Sequence, residues 1–471
     1  MNKNILIILF ACGIVFSSNA QRFPEAILSG DYPDPTVLRD GDDFYMTHSP
    51  FYYAPGFLIW HSKDLMNWQP VCRALNRWSG SAMAPDLVKH NGKYYIYFPA
   101  AGTNYVIWAD SIKGKWSEPV DLKVKGIDPG HIVGEDGKRY LFLSDGYLVE
   151  LTGDGLATAG QPEKVYDGWE YPKNWNTECM CLESPKIIKR GDYFYLTTAE
   201  GGTAGPATSH MIVSARSKSI RGKWENSPYN PIVHTYSDNE SWWSKGHGTL
   251  IDDVQGNWWL VYHAYANGFH TLGRQTLIEP VEWTKDGWFK SKNTAYTDMN
   301  HDLSLPCANL SDNFSSADLG LQWTFWKEYA PQAVTIKENA LSLKAKGATP
   351  ADARLLLTTA QDKSYDTQVE VTVEKGNHAG LVLFYNEKAF AGIVTDGKKF
   401  TVYKDVNNHV DIPCQWENRF FLRIINRGNH CTFQAGNDNQ TWETLAENVD
   451  VSTMHHNNFK GFYALRIGLL S

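Results

Sequence analysis

Residues 29–49 read SGDYPDPTVLRDGDDFYMTHS, and the stretch has two parts. The first part places Asp34 between two prolines, directly before a short apolar segment. The second part is a polar turn at Asp40-Gly41 followed by an aromatic strand pattern. That second part returns along the chain as HNGKYYIYF, EDGKRYLFL, KRGDYFYLTT and VQGNWWLVYH. The chain is therefore built on a repeat that begins with a turn and continues as a strand.

The spacing of this repeat predicts the fold. The turn glycines of the five copies lie at positions 41, 92, 137, 191 and 256. Each interval has room for about four short strands, which is typical of a radial array of small sheets. We therefore predict an all-β chain that begins with a five-bladed β-propeller. A sandwich of ordinary hairpins is the alternative, and five copies at near-regular spacing count against it.

A polar residue opens the first strand of every predicted blade. These entrances read Pro33-Asp34-Pro35, Pro85-Asp86, Asp128-Pro129, Glu183-Ser184-Pro185 and Gly246-His247-Gly248. Proline cannot donate to a strand ladder, so these positions belong at strand entrances rather than in strand interiors. In a propeller the first strand of each blade lines the axis, and equivalent positions converge on one end of the channel. The sequence thus predicts four carboxylates and one imidazole at one channel mouth.

Residues 1–20 are interpreted as an export signal. Lys3 supplies positive charge, residues 5–16 are apolar, and Ala20 ends a small-residue cleavage motif. The apolar run is too short to span a bilayer. The expected location is therefore secreted or periplasmic, with lipid anchoring at Cys12 as the alternative. No other segment has the composition of a membrane helix.

Composition narrows the range of partners. The net charge of −8 argues against nucleic acid and anionic lipid. Aromatic residues make up 13% of the chain, which suits both propeller packing and stacking on sugar rings. Export permits disulfides, but the cysteines define no connectivity. For Cys179-Met180-Cys181 packing is favoured over a metal site, because no second Cys/His pair lies nearby. The oligomeric state is left open.

The repeat pattern of the propeller ends near residue 290. The propeller is predicted to occupy residues 21–300, a polar linker residues 301–311, and a second domain residues 312–471. The second domain contains regularly spaced alternating segments: ALSLKAK, TQVEVTVEK, AGLVLFYN, AGIVTD, KFTVYKD, FFLRIIN and FYALRIGLL. Alternation at this spacing predicts a two-sheet β-sandwich.

Six segments of the first domain follow one another in a distinctive order: YPDPTVLRDGDDFYM, FLIWHSKDLMNW, IDPGHIVGEDGKRYLF, LESPKIIKRGDYFYLTTAEGGT, GHGTLI and LGRQTLIEPVEW. Together they resemble glycoside hydrolase family 43, the inverting propeller enzymes that include β-xylosidases and α-L-arabinofuranosidases. DNFSSADLGLQW at 312–323 resembles the start of the concanavalin-like sandwich domain of the family's xylosidase-like members. The resemblance covers nearly the whole chain after the export signal.

The resemblance implies catalytic roles for three carboxyl residues. Asp34 is implied as the general base, Glu183 as the general acid, and Asp128 as the residue that tunes and orients the acid. Inverting hydrolysis needs a carboxylate that activates water and a carboxylic acid that protonates the leaving oxygen, roughly 6.5–9.5 Å apart. A neighbouring carboxylate keeps the acid protonated by like-charge repulsion. A structural role at a strand entrance is the alternative for each residue, and Asp-Pro at 128 is a common turn opener.

The resemblance also implies binding roles for Phe51, Arg274 and His247. Phe51 would lie beside the terminal sugar, Arg274 would contact the substrate, and His247 would line the channel near an ion or water. No cofactor is expected to be required. The metal hypothesis is a mostly water-coordinated Ca²⁺ at His247, because a lone histidine does not make a transition-metal site. An ion-pair role for Arg274 and a structural role for His247 are the alternatives.

Two further residues affect this interpretation. Many xylosidase-like members carry Trp where this chain has Met83, so the sugar specificity is left open. Asp86 occupies the same phase as Asp34 and is interpreted as structural, because the resemblance gives it no role.

The predicted function is exo-acting, inverting hydrolysis that releases xylose or arabinose from plant polysaccharides or oligosaccharides, as a β-xylosidase or α-L-arabinofuranosidase. A non-catalytic carbohydrate-binding propeller is one alternative, although it needs no trio of acids. A related exo-glycosidase of other sugar specificity is another. Retaining fructan-cleaving propellers normally show Asn-Asp-Pro-Asn, whereas residues 32–35 read Tyr-Pro-Asp-Pro. A sandwich domain that reaches over the channel mouth would close it into a pocket and favour exo action.

Overall fold

A computed structural model describes residues 23–77, 80–292, 305–417 and 419–471. The export signal expected at 1–20 and part of the linker expected at 301–311 lie outside these ranges, so both boundaries stay predictions. Strands dominate the described residues. The helical segments there are one α-helix, His456–Phe459, and three 3₁₀ turns, Ser144–Gly146, His270–Leu272 and Pro331–Ala333. Within the described ranges, no helix has the length and apolar character needed to cross a bilayer.

Five antiparallel sheets form a ring of blades, each running from an inner strand beside the axis to an outer strand. Blade 1 comprises Thr36–Asp40, Asp43–Thr47, Gly56–Ser62 and Gln69–Leu75. Blade 2 comprises Asp86–His90, Lys93–Ala100, Thr103–Ala109 and Val120–Asp121. Blade 3 comprises Gly130–Val133, Arg139–Leu143, Tyr147–Glu150 and Glu163–Lys164. The prediction of a five-bladed propeller is confirmed.

The last two blades each have an additional strand. Blade 4 comprises Glu183–Arg190, Tyr193–Glu200, Met211–Ser217 and Glu225–Asn226, with Val233–His234 also paired to its third strand. Blade 5 comprises Trp242–Asp252, Trp258–Ala266, Arg274–Trp283 and Glu25–Leu28, with Phe289–Ser291 also paired to its third strand.

The N-terminal strand closes the ring. Glu25–Leu28 pairs antiparallel with Arg274–Trp283, with Glu25 opposite Ile278. Blade 5 therefore takes its outer strand from the beginning of the chain and its other strands from the end of the propeller. Such closure leaves no open gap between the first and last blades. The repeat pattern does not reveal this pairing, because Glu25–Leu28 lies outside every copy of the repeat.

Hydrogen bonds between adjacent blades, close to their inner strands, hold the blades around the axis. They are Leu87 N–H to the Thr36 hydroxyl (3.1 Å), His131 N–H to Asp86 Oδ2 (2.7 Å), Ser184 N–H to Asp128 Oδ2 (3.1 Å), the Thr197 hydroxyl to the Gly248 carbonyl (3.0 Å) and the Thr249 hydroxyl to the Pro35 carbonyl (2.9 Å). Each blade is thus bonded to the next by a buried polar group. Such bonds fix the separation of the strand entrances, since a buried polar group left unpaired is costly.

The second domain is a β-sandwich, as predicted. Its larger sheet has the order His409–Pro413, Lys399–Tyr403, Ala389–Thr395, Ala379–Asn386, Arg466–Leu470, Leu355–Thr359, Thr324–Trp326 and Tyr53–Ala54. Its smaller sheet has the order Ser364–Thr372, Arg419–Arg427, His430–Gly436 and Glu443–Asp450. A separate hairpin pairs Val334–Lys337 with Ala340–Leu343. Alternate side chains of the two sheets, among them Leu383, Phe420 and Phe433, are buried between them.

The two domains share a strand and several buried contacts. Tyr53–Ala54 leaves blade 1 and pairs with Thr324–Trp326 at the edge of the larger sandwich sheet. The Arg466 guanidinium lies 3.6 Å from the centre of the Tyr53 ring. On the other side, the Tyr265 hydroxyl and His456 Nδ1 are 3.0 Å apart. The sandwich is therefore fixed beside the end of the propeller at which the predicted site residues lie.

Candidate active site

The five inner strands begin in the same unusual backbone conformation. Two residues before each strand's regular pairing, the chain is left-handed at Asp34 (φ 58°), Ala84 (φ 36°), Asp128 (φ 56°), Ser184 (φ 57°) and His247 (φ 61°). Such angles are uncommon for residues other than glycine and concentrate at functional sites. This equivalence corrects the sequence interpretation in two blades. Ser184, not Glu183, is the counterpart of Asp34, and Ala84, not Asp86, is its counterpart in blade 2.

Glu183 reaches the channel in spite of this offset. Its strand pairs with the second strand of blade 4 through a shifted register between Glu183 and Lys186, opposite Ala199 and Thr197. Such a bulge re-aims the side chains next to it. The Glu183 side chain is 21% exposed, whereas that of Asp34 is 6% exposed. Glu183 therefore stands nearer to solvent than Asp34.

Asp34 lies in a dense set of donors. Its Oδ1 is 2.8 Å from Arg274 Nη1 and 3.3 Å from His247 Nδ1. Its Oδ2 accepts a hydrogen bond from the Ser49 hydroxyl. Its backbone N–H donates to Nδ1 of His263 at 3.0 Å. Burial disfavours the charged carboxylate, but its polar neighbours, the Arg274 guanidinium foremost, outweigh burial and hold the pKa of Asp34 well below its usual range. Asp34 is ionised at neutral pH.

Asp128 and Glu183 are shifted in the opposite direction. Burial, and then the charge of Asp34, raises the pKa of Asp128 to about 7. Burial, followed by the charges of Asp128 and Asp34, raises the pKa of Glu183 well above its ordinary value. The three carboxyl groups therefore interact, and their pKa values are pushed apart. Asp34 remains charged near neutral pH, while Glu183 retains its proton.

Three buried imidazoles form one wall of the site. His210 and His263 stack with centroids 5.4 Å apart, and His247 lies 5.6 Å from His263. Nε2 of His210 is 3.8 Å from Glu183 Oε1. Burial lowers the pKa values of His210 and His263 to about 3, and it also lowers the pKa of His247. At neutral pH these three imidazoles are uncharged, and they do not accept the proton of Glu183.

His210 and His263 were not found by sequence reasoning. The local sign of His210 is Gly246, the glycine directly before His247. A Cβ added at Gly246 would lie 1.4 Å from His210 Cδ2, so only glycine fits there. His263 closes the last copy of the repeat, VQGNWWLVYH, but the pattern alone does not distinguish it from a core histidine.

Arg274 connects the propeller site to aromatic side chains of both domains. Its guanidinium lies 5.7 Å from the centre of the Phe51 ring and 5.5 Å from that of Phe462. Phe51 is buried and makes an edge contact with Tyr463. Phe462 belongs to the sandwich domain and is 40% exposed. The structure thus brings Phe51, Arg274, His247 and the carboxyl groups together, and it adds Phe462.

Asp86 has a different environment. Its Oδ1 accepts from the Lys186 ammonium at 2.8 Å, and both side chains are almost fully buried. Lys186 also donates to the carbonyls of Pro85 at 2.9 Å and Pro129 at 3.3 Å. This ion pair joins blades 2, 3 and 4 beneath the strand entrances. The interpretation of Asp86 as structural agrees with these bonds.

Cys179 and Cys181 form a disulfide two residues before Glu183. The sequence favoured packing over a metal site for this pair, and the structure places the two sulfur atoms in a disulfide instead. Gly201 accepts from the Glu178 N–H at 3.0 Å and donates to the Met180 carbonyl at 2.9 Å. The segment before Glu183 is therefore closed locally by the disulfide and held to blade 4 by backbone hydrogen bonds.

The side chains around His247 offer few of the ligands that a metal ion requires. Asp34, His247 and His263 bring ligand atoms within 4.8 Å of one another. Ca²⁺ prefers six to eight oxygen ligands, whereas this set offers one carboxylate that Arg274 already neutralises and two imidazoles. The set does not fit an all-protein Ca²⁺ cage. His247 Nε2 is buried and has no hydrogen-bond partner in the described part of the chain, so it fits a single ligand position.

Comparisons with known proteins match both domains of the chain. The model of "Glycosyl hydrolases family 43" matches residues 23–289, and that of "Beta xylosidase C-terminal Concanavalin A-like domain" matches residues 311–471. A xylan 1,3-beta-xylosidase of a Vibrio species is 33% identical over 56% of this chain and 56% of its own length. The non-reducing end alpha-L-arabinofuranosidase BoGH43B of Bacteroides ovatus is 33% identical over 74% of this chain and 70% of its own.

The fold is also found in solved structures. That of xylan beta-1,4-xylosidase from Bacillus halodurans C-125 superposes with a TM-score of 0.82 at 26% identity and covers 95% of this chain and 96% of its own. The chain spans about half the length of the Vibrio protein.

Proposed function

The chain belongs to the glycosyl hydrolases of family 43, and on that premise we propose that it releases a terminal pentose, xylose or arabinose, from plant oligosaccharides or polysaccharides with inversion. The observation that carries the proposal is the opposite shift of two interacting carboxyl groups. Asp34 is held ionised by Arg274, while burial and neighbouring charge keep Glu183 protonated. A charged base and a neutral acid at one channel mouth are what inverting hydrolysis requires.

Asp34 is proposed as the general base. Its carboxylate accepts a proton from the attacking water as the water bonds to the anomeric carbon. Arg274 donates a hydrogen bond to Oδ1 of Asp34, and Ser49 donates one to Oδ2. Together they restrict the orientation of the carboxylate. Fixed orientation lowers the entropic cost of bringing water and carboxylate into line.

Glu183 is proposed as the general acid, which donates its proton to the leaving oxygen. Asp128 is proposed to raise the pKa of Glu183, because it ionises first and then disfavours a second negative charge beside it. Its hydrogen bond from the Ser184 N–H fixes Asp128 next to the acid's own backbone.

Arg274, Phe51 and His247 are proposed to contact the terminal sugar or its water. Arg274 lies between Phe51 and Phe462, so a sugar at Arg274 would meet an aromatic ring from each domain. Asn457 of the sandwich also accepts from the Gly205 N–H at 3.0 Å, on the far side of the mouth. Walls from two domains favour a closed pocket and removal of a terminal sugar. Met83 lies next to Ala84 at the blade 2 entrance, where it can influence which sugar fits.

A Ca²⁺ ion coordinated mostly by water is proposed at Nε2 of His247, which would be its one protein ligand. The ion would supply positive charge on the channel axis when bound. Dialysis against a chelator, followed by Ca²⁺ titration in a calorimeter, tests this separately from activity. A missing heat of binding, or an unchanged heat in His247→Ala, would reject the ion.

Export through the signal at 1–20 is proposed from sequence alone, with lipid anchoring at Cys12 as the alternative. The N-terminal residue of the protein released by expressing cells distinguishes the two. Cleavage after Ala20 supports simple export, and a lipid-modified Cys12 supports anchoring.

The decisive experiment for the function has two parts. Purified enzyme is first incubated with aryl-β-xyloside, aryl-α-arabinofuranoside and aryl-β-galactoside, which identifies the sugar. Proton NMR then records the anomeric configuration of the first sugar formed from the best substrate. We expect a pentose released with inversion. A product that keeps the configuration of the substrate would reject the mechanism, and a galactoside preference would reject the sugar class.

A further inference from the structure

Aromatic and apolar side chains surround one side of the channel mouth. The loop between blades 3 and 4 carries Trp169 and Trp175, whose ring centres are 6.1 Å apart. Tyr236 lies 6.0 Å from Trp175 and is 46% exposed, and Met180 is 39% exposed. We call these four residues the aromatic rim. Exposed apolar groups that form a contiguous patch commonly mark a binding surface.

The rim lies at the same end of blade 4 as Glu183. Strand pairing places Glu183 opposite Ala199, Glu200 opposite Met211, and Met211 opposite His234. These residues form a row that runs outward from the axis. Adjacent strands are about 4.8 Å apart, so the row extends about 14 Å from the acid to His234. Trp175 stacks on His234 with centroids 4.4 Å apart and planes 6° apart.

The stacking on His234 leaves Trp175 partly exposed. His234 is buried and covers one face of the indole, while Trp175 remains partly exposed. Exposed asparagines, Asn174 and Asn176, adjoin Trp175 in the sequence. A flat apolar face beside amide donors and acceptors suits a sugar ring, which has an apolar face and a hydroxyl edge.

The loop that carries three of the rim residues, Trp169, Trp175 and Met180, is held in place by hydrogen bonds and a disulfide. The Trp169 N–H donates to Glu200 Oε1 at 2.6 Å, and the Tyr171 hydroxyl donates to the Cys179 carbonyl at 3.1 Å. The Cys179–Cys181 disulfide closes the end of the loop next to Glu183. A surface already fixed in place loses little conformational entropy when it binds a ligand.

We propose that the aromatic rim binds a distant sugar residue of the substrate chain, on the leaving-group side of the scissile bond. This inference rests on the proposed function, because the acid faces the leaving oxygen and the row from Glu183 to Trp175 then follows the departing chain. The distance along the row places Trp175 beyond the ring that leaves directly from Glu183. The enzyme therefore recognises a neutral oligosaccharide chain, and its affinity increases with chain length until the chain reaches Trp175.

The test measures binding without turnover. β-1,4-Xylo-oligosaccharides of two to six residues are titrated into Glu183→Gln enzyme in a calorimeter. The affinity is expected to increase at one chain length, and Trp175→Ala in the same background should remove that increase, weakening binding of the longer oligosaccharides about 3- to 10-fold. Trp175→Phe, which keeps a flat ring, should retain most of it. Tyr229→Ala is the matched control, because Tyr229 is another exposed aromatic residue of blade 4, 37% exposed, and does not belong to the aromatic rim.

The results separate the rim from the proposed function. Aryl-glycoside hydrolysis by the parent enzyme reports on the proposed function alone, and the calorimetry reports on the rim alone. An affinity that does not change with chain length overturns the proposal. So does equal weakening by Trp175→Ala and Tyr229→Ala. Thermal melts establish whether each variant is folded. If Trp175→Ala is not folded, the affinity of Trp175→Phe is compared with that of the parent instead.

Discussion

Nη1 of Arg274 lies 2.8 Å from Oδ1 of Asp34, although 240 residues separate the two along the chain. Both side chains are almost fully buried. A buried carboxylate without a partner would take up a proton, so the proposed base depends on this guanidinium for its charge. The pair therefore connects ring closure, which brings residue 274 next to the N-terminal segment, with the chemistry of the site.

Removing this partner should shift the acidic side of the pH–activity profile. In Arg274→Met, the largest effect that opposes burial is lost, so the pKa of Asp34 increases and activity is lost at a higher pH on acidification. The free energy of unfolding should also fall by about 3–5 kcal/mol, because a buried charge is left unpaired. The pH dependence of kcat/KM and a denaturant titration measure the two effects.

Arg419→Met is the control for that prediction. Arg419 pairs with Glu370 on the surface of the sandwich, where water screens the ion pair and it contributes little to stability. Its profile and stability should stay close to those of the parent. An unshifted acidic limb in Arg274→Met would mean that Asp34 is not the group whose ionisation the reaction requires.

Glu183 and Asp34 should respond differently to the leaving group. General acid catalysis contributes about 10²–10⁴-fold, so Glu183→Gln should lose most of the rate on an oligosaccharide. With a dinitrophenyl glycoside, which departs as a stable anion, much of that loss should disappear. Asp34→Asn removes activation of water, and its defect should persist with both substrates. If the dinitrophenyl glycoside restored the rate of Asp34→Asn instead, Asp34 would be the general acid and Glu183 the general base.

Asp128→Asn should shift the alkaline limb of the profile to lower pH. The acid works while protonated, and an ionised Asp128 helps to keep it so. Without that charge the pKa of Glu183 falls, and activity is lost at a lower pH on alkalisation. Burial of Glu183 remains, so the shift should be partial. A reduced rate with an unmoved alkaline limb would leave Asp128 with an orienting role only.

The sandwich domain should support the propeller rather than act alone. Expressed residues 312–471 should have no glycosidase activity, since Asp34, Asp128 and Glu183 all lie in the propeller. A chain ending at residue 300 loses the strand partner of Tyr53–Ala54 and the Phe462 ring. It should melt at a lower temperature and have lower kcat/KM. Phe462→Ala should reduce kcat/KM without a comparable loss of stability, and a fully active, stable propeller alone would contradict this prediction.

Features with a local pattern could be predicted from the sequence, and long-range contacts could not. Turn glycines with aromatic strands indicated the blades, and prolines indicated the strand entrances. The pairing of Glu25–Leu28 with the last blade and that of Tyr53–Ala54 with the sandwich depend on partners hundreds of residues away. His263 and Phe462 reach the site for the same reason. The equivalence of Glu183 and Asp34 was misjudged by one residue, because a register shift leaves no mark on the spacing of prolines and glycines.

The closing strand of blade 5 also has a consequence for the order in which the molecule is assembled. Residues 25–28 leave the ribosome before the rest of the propeller but cannot pair until Arg274–Trp283 has been made. Contacts of such long sequence separation form slowly. The proposed base meets its guanidinium only after this step, so an unfinished chain has no working site. In reverse, opening of the ring between the first and last blades should inactivate the protein before most of its strands are lost.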